Sequence, residues 1–176
     1  MSTSRDVSVP RVMLNGLDEG IEVIISTTIS GAESPTLVLE SVQNIFPDFT
    51  ADEFNEPTFG VANNYQWINE QISLNNFLQM VHKQAILDTA LDVMSMKLEN
   101  HQTSFQLLRQ ASIANKIAFN LERGNPLGGV INVELKGENL ADWLEAATWH
   151  KGRDAVPKRI NDERQMDLDG EASTWI

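Results

Sequence analysis

A chain of 176 residues, 41% of them hydrophobic, is long enough for one domain-sized core and cramped for two. The absence of cysteine excludes disulfides, thiolate nucleophiles, zinc ribbons and iron–sulfur clusters. No apolar run approaches the roughly 18 to 20 residues that span a bilayer, and a formal net charge of −12 argues against general nucleic-acid binding, because such a surface repels phosphate backbones at long range.

Residues 1–19 mix Ser, Thr, Gly, Asp and Pro without period and read as a flexible lead-in. No apolar run of signal-peptide length separates Arg5 and Arg11 from Asn15, so a cytoplasmic location is expected. Ile21, Val23, Ile25, Thr27 and Ile29 alternate with more polar residues, the period of a half-buried strand. Gly31 breaks it. Ser34 and Pro35 then supply an N-cap and a first-turn proline for a helix to about Ile45, with Leu37, Val38, Val42 and Ile45 as its apolar face. Pro47 and Asp48 end that helix.

A second extended stretch is expected around Thr58 to Trp67, where Asn63 and Asn64 fit a turn equally well. Beyond Ser73 the apolar residues keep helical spacing through Phe77, Leu78 and Val81, then resume on a shifted phase at Leu87, Ala90, Leu91, Met94 and Leu98. The slip near Lys83 predicts a kink or two consecutive helices. Thr103, Phe105 and Leu107 alternate as a third strand, and Lys116 to Leu121 suits strand or helix. Gly124, Asn125, Pro126, Gly128 and Gly129 form a loop. Ile131, Val133 and Leu135 make the next strand, and Leu140, Trp143, Leu144 and Ala147 have the spacing of one face of a short helix. After Gly152 the chain is mostly charged and small polar residues, so 153–176 reads as a disordered tail and 20–152 as one α+β domain, a single sheet with helices packed on one face.

The chemistry-bearing residues are sparse. His82, His101 and His150 have no i+3 or i+4 partner histidine, so no metal site is expected. There is no G-x-S-x-G, no S-x-x-K with partners, and the Gly124–Gly129 loop lacks the lysine and hydroxyl of a phosphate cradle. Asp167 to Glu171 lacks the full ligand pattern of a calcium loop. Adjacent acids such as Asp18–Glu19 and Asp52–Glu53 read as solvated surface. No cofactor and no enzymatic activity are expected.

Charge is unevenly spread. Residues 1–75 carry eleven acids against Arg5 and Arg11, residues 76–125 five bases against four acids, and the remainder six bases against ten acids. In the middle stretch Arg109, Gln110, Asn115, Lys116 and Arg123 gather bases and amides able to meet phosphate oxygens and base edges. Phe105 and Phe119 stack a base there if exposed, and belong to the core if not.

Five short segments carry a resemblance: NIFPD at Asn44–Asp48, QAILD at Gln84–Asp88, QASIANKIAF at Gln110–Phe119, NPLG at Asn125–Gly128 and LADWL at Leu140–Leu144. In this order and spacing they resemble the archaeal UPF0201 family over roughly residues 21–152. The resemblance implies a fold similar to ribosomal protein L5 and, through the family's wider grouping, RNA binding, with Gln110, Asn115 and Lys116 on a basic stretch that feeds a strand. The chain departs from the family's usual Leu-Ala-Pro-x-Thr after the tryptophan, having Leu144 to Thr148 without proline. The reading is a non-enzymatic binding domain that contacts structured RNA or a ribonucleoprotein through Arg109, Gln110, Asn115, Lys116 and Arg123, or else an acidic interaction module for a basic protein partner.

Overall fold

The computed structural model describes residues 14–160. Its centre is a four-stranded antiparallel sheet of β1 (Glu22–Gly31), β2 (Asn63–Glu70), β3 (Gln102–Leu108) and β4 (Val130–Lys136), in the order β2-β1-β4-β3. The alternation read in the sequence decides which face is covered. Val23, Ile25, Thr27 and Ile29 of β1 are buried alongside Ile131, Val133 and Leu135 of β4 and Thr103, Phe105 and Leu107 of β3. Their neighbours Thr28, Gln66, Ile68 and Glu134 lie exposed on the opposite, open face.

Helices α1 (Pro35–Ile45), α2 (Asn75–Lys83), α3 (Leu87–Ser95), the short α4 (Arg109–Ile113) and α5 (Leu140–Ala147) complete the α+β domain. Ser34 caps α1, its hydroxyl accepting from the Leu37 N–H, and Pro35 sits in the first turn, where a missing N–H costs nothing. The buried stripe of α1 is Val38, Ser41, Val42 and Ile45; Leu37 turns outward, 56% exposed, contrary to its expected place on the apolar face. The phase slip near Lys83 is a break between α2 and α3, with Ala85 at φ 57°. In α5 the i, i+3, i+4, i+7 residues Leu140, Trp143, Leu144 and Ala147 are all buried. Each large side chain among them contributes about 1.5–3 kcal/mol.

Three boundaries differ from the expectations. β2 starts at Asn63, so the Asn63–Asn64 pair lies inside the strand and the turn falls at Phe59–Gly60. Residues 14–19 are not a loose lead-in. Leu17–Glu19 form a 3-10 turn, Leu14 and Leu17 pack on the core, and Glu19 Oε1 accepts from the Trp143 indole at 3.3 Å; residues 1–13 lie outside the described range. At the other end, residues 153–160 are packed instead of tail-like. Arg153 is buried, Lys158 pairs with Asp92 of α3 at 3.0 Å, and the Ile160 N–H donates to Glu145. The remainder of the expected tail, 161–176, lies outside the described range.

Candidate functional site

The five polar residues singled out in the sequence do not form one surface. Arg109, at the β3–α4 junction, is 4% exposed. Its Nε donates to the Gly128 carbonyl at 2.7 Å, Nη1 to Thr27 Oγ1 and the Thr28 carbonyl at 3.1 and 3.0 Å, and Nη2 to Glu33 at 2.6 Å. With four of its five N–H donors engaged and the side chain buried, this guanidinium is withdrawn from a phosphate at the surface. The glycine-rich loop makes room for it: a Cβ on Gly129, which has φ +75°, would lie 1.9 Å from Arg109 Nη2. The loop is therefore the cradle of an internal arginine as well as a turn. This corrects the placing of Arg109 on a binding face.

Gln110, Asn115, Lys116 and Arg123 are exposed. Asn115 holds φ 56°, a left-handed conformation that asparagine tolerates better than most residues. Phe105 is buried, and Phe119 is partly buried at 6.0 Å from the Phe105 ring centroid and 6.5 Å from that of Phe77. Both rings belong to the core, and neither offers a base a stacking platform.

Residues 116–121, ambiguous by pattern, are extended and run beside β3. The Leu108 N–H donates to the Ala118 carbonyl and the Asn120 N–H to the Gln106 carbonyl, both at 2.9 Å. The Gln84 carboxamide holds this strap at Ile117, donating to its carbonyl at 3.0 Å and accepting from its N–H at 2.6 Å. At the start of β3, Gln102 and Glu99 exchange both backbone bonds.

The β2 edge is different. The Gln71 N–H donates to the Val23 carbonyl, and alternation of the antiparallel ladder from that bond turns the N–H and C=O of Asn64, Gln66, Ile68 and Glu70 away from β1. Among the described residues no group bonds to these eight. The nearby segment after α1 is held over the core side instead: the Asn69 carboxamide accepts from the Thr50 N–H and donates to its carbonyl, and Phe54 packs on Trp67. Tyr65 lies beside Trp67; burial, then the charge of Glu56, push its hydroxyl above the usual tyrosine range.

Two hollows complete the surface. One of about 290 Å³ lies between α2, α3 and the α5 exit, lined by His82, Asp88, Thr89 and His150 among others. Asp88 Oδ1 accepts from His150 Nε2 at 2.9 Å and Arg153 Nε at 3.1 Å. Burial alone would raise the Asp88 carboxyl, but these two partners outweigh it and hold it below the ordinary carboxylate value. A second hollow, of about 420 Å³, lies at one end of the open face among Glu22, Lys97, Glu99, Glu134 and Lys136. Among the described residues no three His, Asp or Glu side chains gather to hold a metal ion, and no helix is long and apolar enough to cross a membrane.

An antiparallel sheet with helices on one face, and the other face left open among the described residues, defines the class: an α+β open-faced domain. No family model matches the chain. A UPF0201 protein of Methanothermobacter thermautotrophicus is 25% identical over 126 residues, covering 70% of this chain and 89% of that protein. A UPF0200/UPF0201 protein of Archaeoglobus fulgidus is 30% identical over 110 residues, which cover 62% of this chain and 31% of that longer protein. The crystal structure of a UPF0201 protein from Methanococcus jannaschii superposes with a TM-score of 0.59 at 26% identity, covering 74% of this chain and 96% of that one. A second UPF0201 crystal structure gives a TM-score of 0.58 at 26% identity, covering 74% and 95%. In sequence and in fold the chain is similar to these UPF0201 proteins over roughly three quarters of its length.

Proposed function

We propose that this chain is a non-catalytic docking module whose partner is a basic protein. The observation that carries the reading is the fate of Arg109: the expected cationic face loses its central guanidinium to the interior, where it is paired with Glu33. Meanwhile residues 12–82, which include β1, α1 and β2, contain ten acids and no lysine or arginine. A surface of one sign attracts partners of the other and speeds their encounter. The test is a pull-down from nuclease-treated cell extract at low salt. Retention of a basic protein that is released by raised salt supports the reading, and retention that depends on intact RNA overturns it.

RNA contact is the second reading, supported by the exposure of Gln110, Asn115, Lys116 and Arg123 and by the implied likeness to ribosomal protein L5. It predicts a low-salt gel shift with total cellular RNA that is lost when Lys116 and Arg123 are replaced together. No shift in the unmodified protein removes it.

A further inference from the structure

We propose that the outer edge of β2 takes an extended, basic segment of a partner protein as a fifth strand. The inference rests on the protein-docking reading above and gives it a location. Four residues, Asn64, Gln66, Ile68 and Glu70, present backbone donors and acceptors that bond to nothing among the described residues. An edge of this kind is a template for another chain, and folded proteins usually blunt it with proline, lysine, a bulge or a covering segment. Among the described residues β2 has none of these: its eight residues NNYQWINE contain neither proline nor lysine, its register with β1 runs unbroken from Ile24↔Glu70 to Gly31↔Asn63, and no described segment bonds along it. Two further groups on the strand, Asn63 Nδ2 and Tyr65 Oη, are shielded from solvent yet lack a hydrogen-bond partner.

The charges choose the occupant. Glu70 ends the strand, Glu56 lies close enough to act on Tyr65, and Asp52 and Glu53 follow Thr50, which is bonded to Asn69. No lysine or arginine lies between Arg11 and Lys83 to offset them. A second copy of the chain paired here would set the same acids against each other, which costs stability. A segment carrying lysine or arginine neutralises them. Ile68, 57% exposed on the open face between Gln66 and Glu70, adds an apolar contact for one side chain of the incoming strand. Added strands draw affinity from main-chain bonds and selectivity from alternate side chains, so the fitting segment is extended, with basic residues around an apolar one.

The experiment follows backbone amide exchange in the full chain with a capped peptide of alternating lysine and valine, and with its glutamate–valine counterpart. The lysine peptide should slow exchange at Asn64, Gln66, Ile68 and Glu70 by about tenfold or more, and raised salt should reverse it. The glutamate peptide should do nothing. Ile68→Pro removes one outward N–H while sparing the ladder to β1, and should abolish the protection. No protection at saturating lysine peptide, or equal protection by both peptides, overturns the proposal. So does protection without peptide, whether it rises with protein concentration, as for a second copy, or is independent of it, as for an edge covered by its own chain. The nuclease-treated pull-down separates the two levels. If wild type and Ile68→Pro retain the same basic protein equally, the edge is wrong and the docking reading stands; if wild type retains none, the docking reading fails.

Discussion

On the β3 edge Gln102 closes on Glu99, and Gln106 and Leu108 are taken up by residues 118–120, whereas on the β2 edge Asn64, Gln66, Ile68 and Glu70 have no such partner among the described residues. The devices beside the two edges are alike. Near β3 the Gln84 carboxamide grips the N–H and C=O of Ile117, and near β2 the Asn69 carboxamide grips those of Thr50. The outcome differs because Gln84 reaches across from the end of α2 and lays its segment along the edge, while Asn69 projects from the core-facing side of β2 and keeps its segment there. Among the described residues the chain itself covers much of one edge, leaving Ser104 without a backbone partner, whereas no described residue bonds to the other.

Four changes break or sharpen this contrast. The largest effect belongs to Arg109→Met, which strands Glu33 and two backbone carbonyls at the end of the sheet. Urea unfolding should show a loss of about 3 kcal/mol, the scale of removing one member of a buried pair. A stable Arg109→Met protein that merely lost RNA affinity would restore the face expected from sequence. Phe119→Ala comes next. It takes a ring from the Phe77–Phe105 cluster that anchors the strap, at a cost of about 2–3 kcal/mol because the ring is only partly buried. Exchange at Leu108 and Asn120 should quicken as the β3 edge opens. Ile68→Pro should cost about 1 kcal/mol or less, since proline is tolerated where an edge N–H faces outward. A much larger loss would mean that the β2 edge is already engaged.

The smallest change is Asp88→Asn, whose hydrogen-bond partners His150 and Arg153 belong to neither edge. Asp88 is half exposed, so its links to His150 and Arg153 are worth a few tenths of a kcal/mol. Because its folded pKa is depressed, that contribution is present above the ordinary carboxylate value and disappears as pH falls through the folded one. Melting temperatures of wild type and Asp88→Asn should differ at about pH 5 and converge at about pH 2. Amide exchange at both sheet edges should stay unchanged.

Much of the fold was legible because burial left a period. The alternation in β1, β3 and β4, the helical spacing of α5 and the phase slip between α2 and α3 all report a single covered face. The family resemblance pointed the same way. The candidate site was less legible, for physical reasons. An arginine beside polar residues reads alike whether it faces water or the interior. What draws Arg109 inward is Thr27, Glu33 and a loop glycine, the first two 82 and 76 residues away in sequence. The only local signal was the paired Gly128–Gly129, which reads equally as a turn. Residues 153–160 were hidden by composition, because a segment of charged residues looks disordered until its partners Asp88, Asp92 and Glu145 come to meet it. The open edge of β2 leaves no period at all, since an unpaired backbone is invisible in side chains.

The pairing of Arg109 with Glu33 also reshapes the electric field that an approaching molecule meets. The modest positive balance of residues 76–125 depends on a cation that is buried in contact with a carboxylate from outside that stretch. At a distance the two charges cancel, and the region once expected to draw phosphate towards itself becomes close to neutral. Most of the formal charge of −12 then comes from residues 12–82, with ten acids and no lysine or arginine, a distribution that favours the approach of cations over anions.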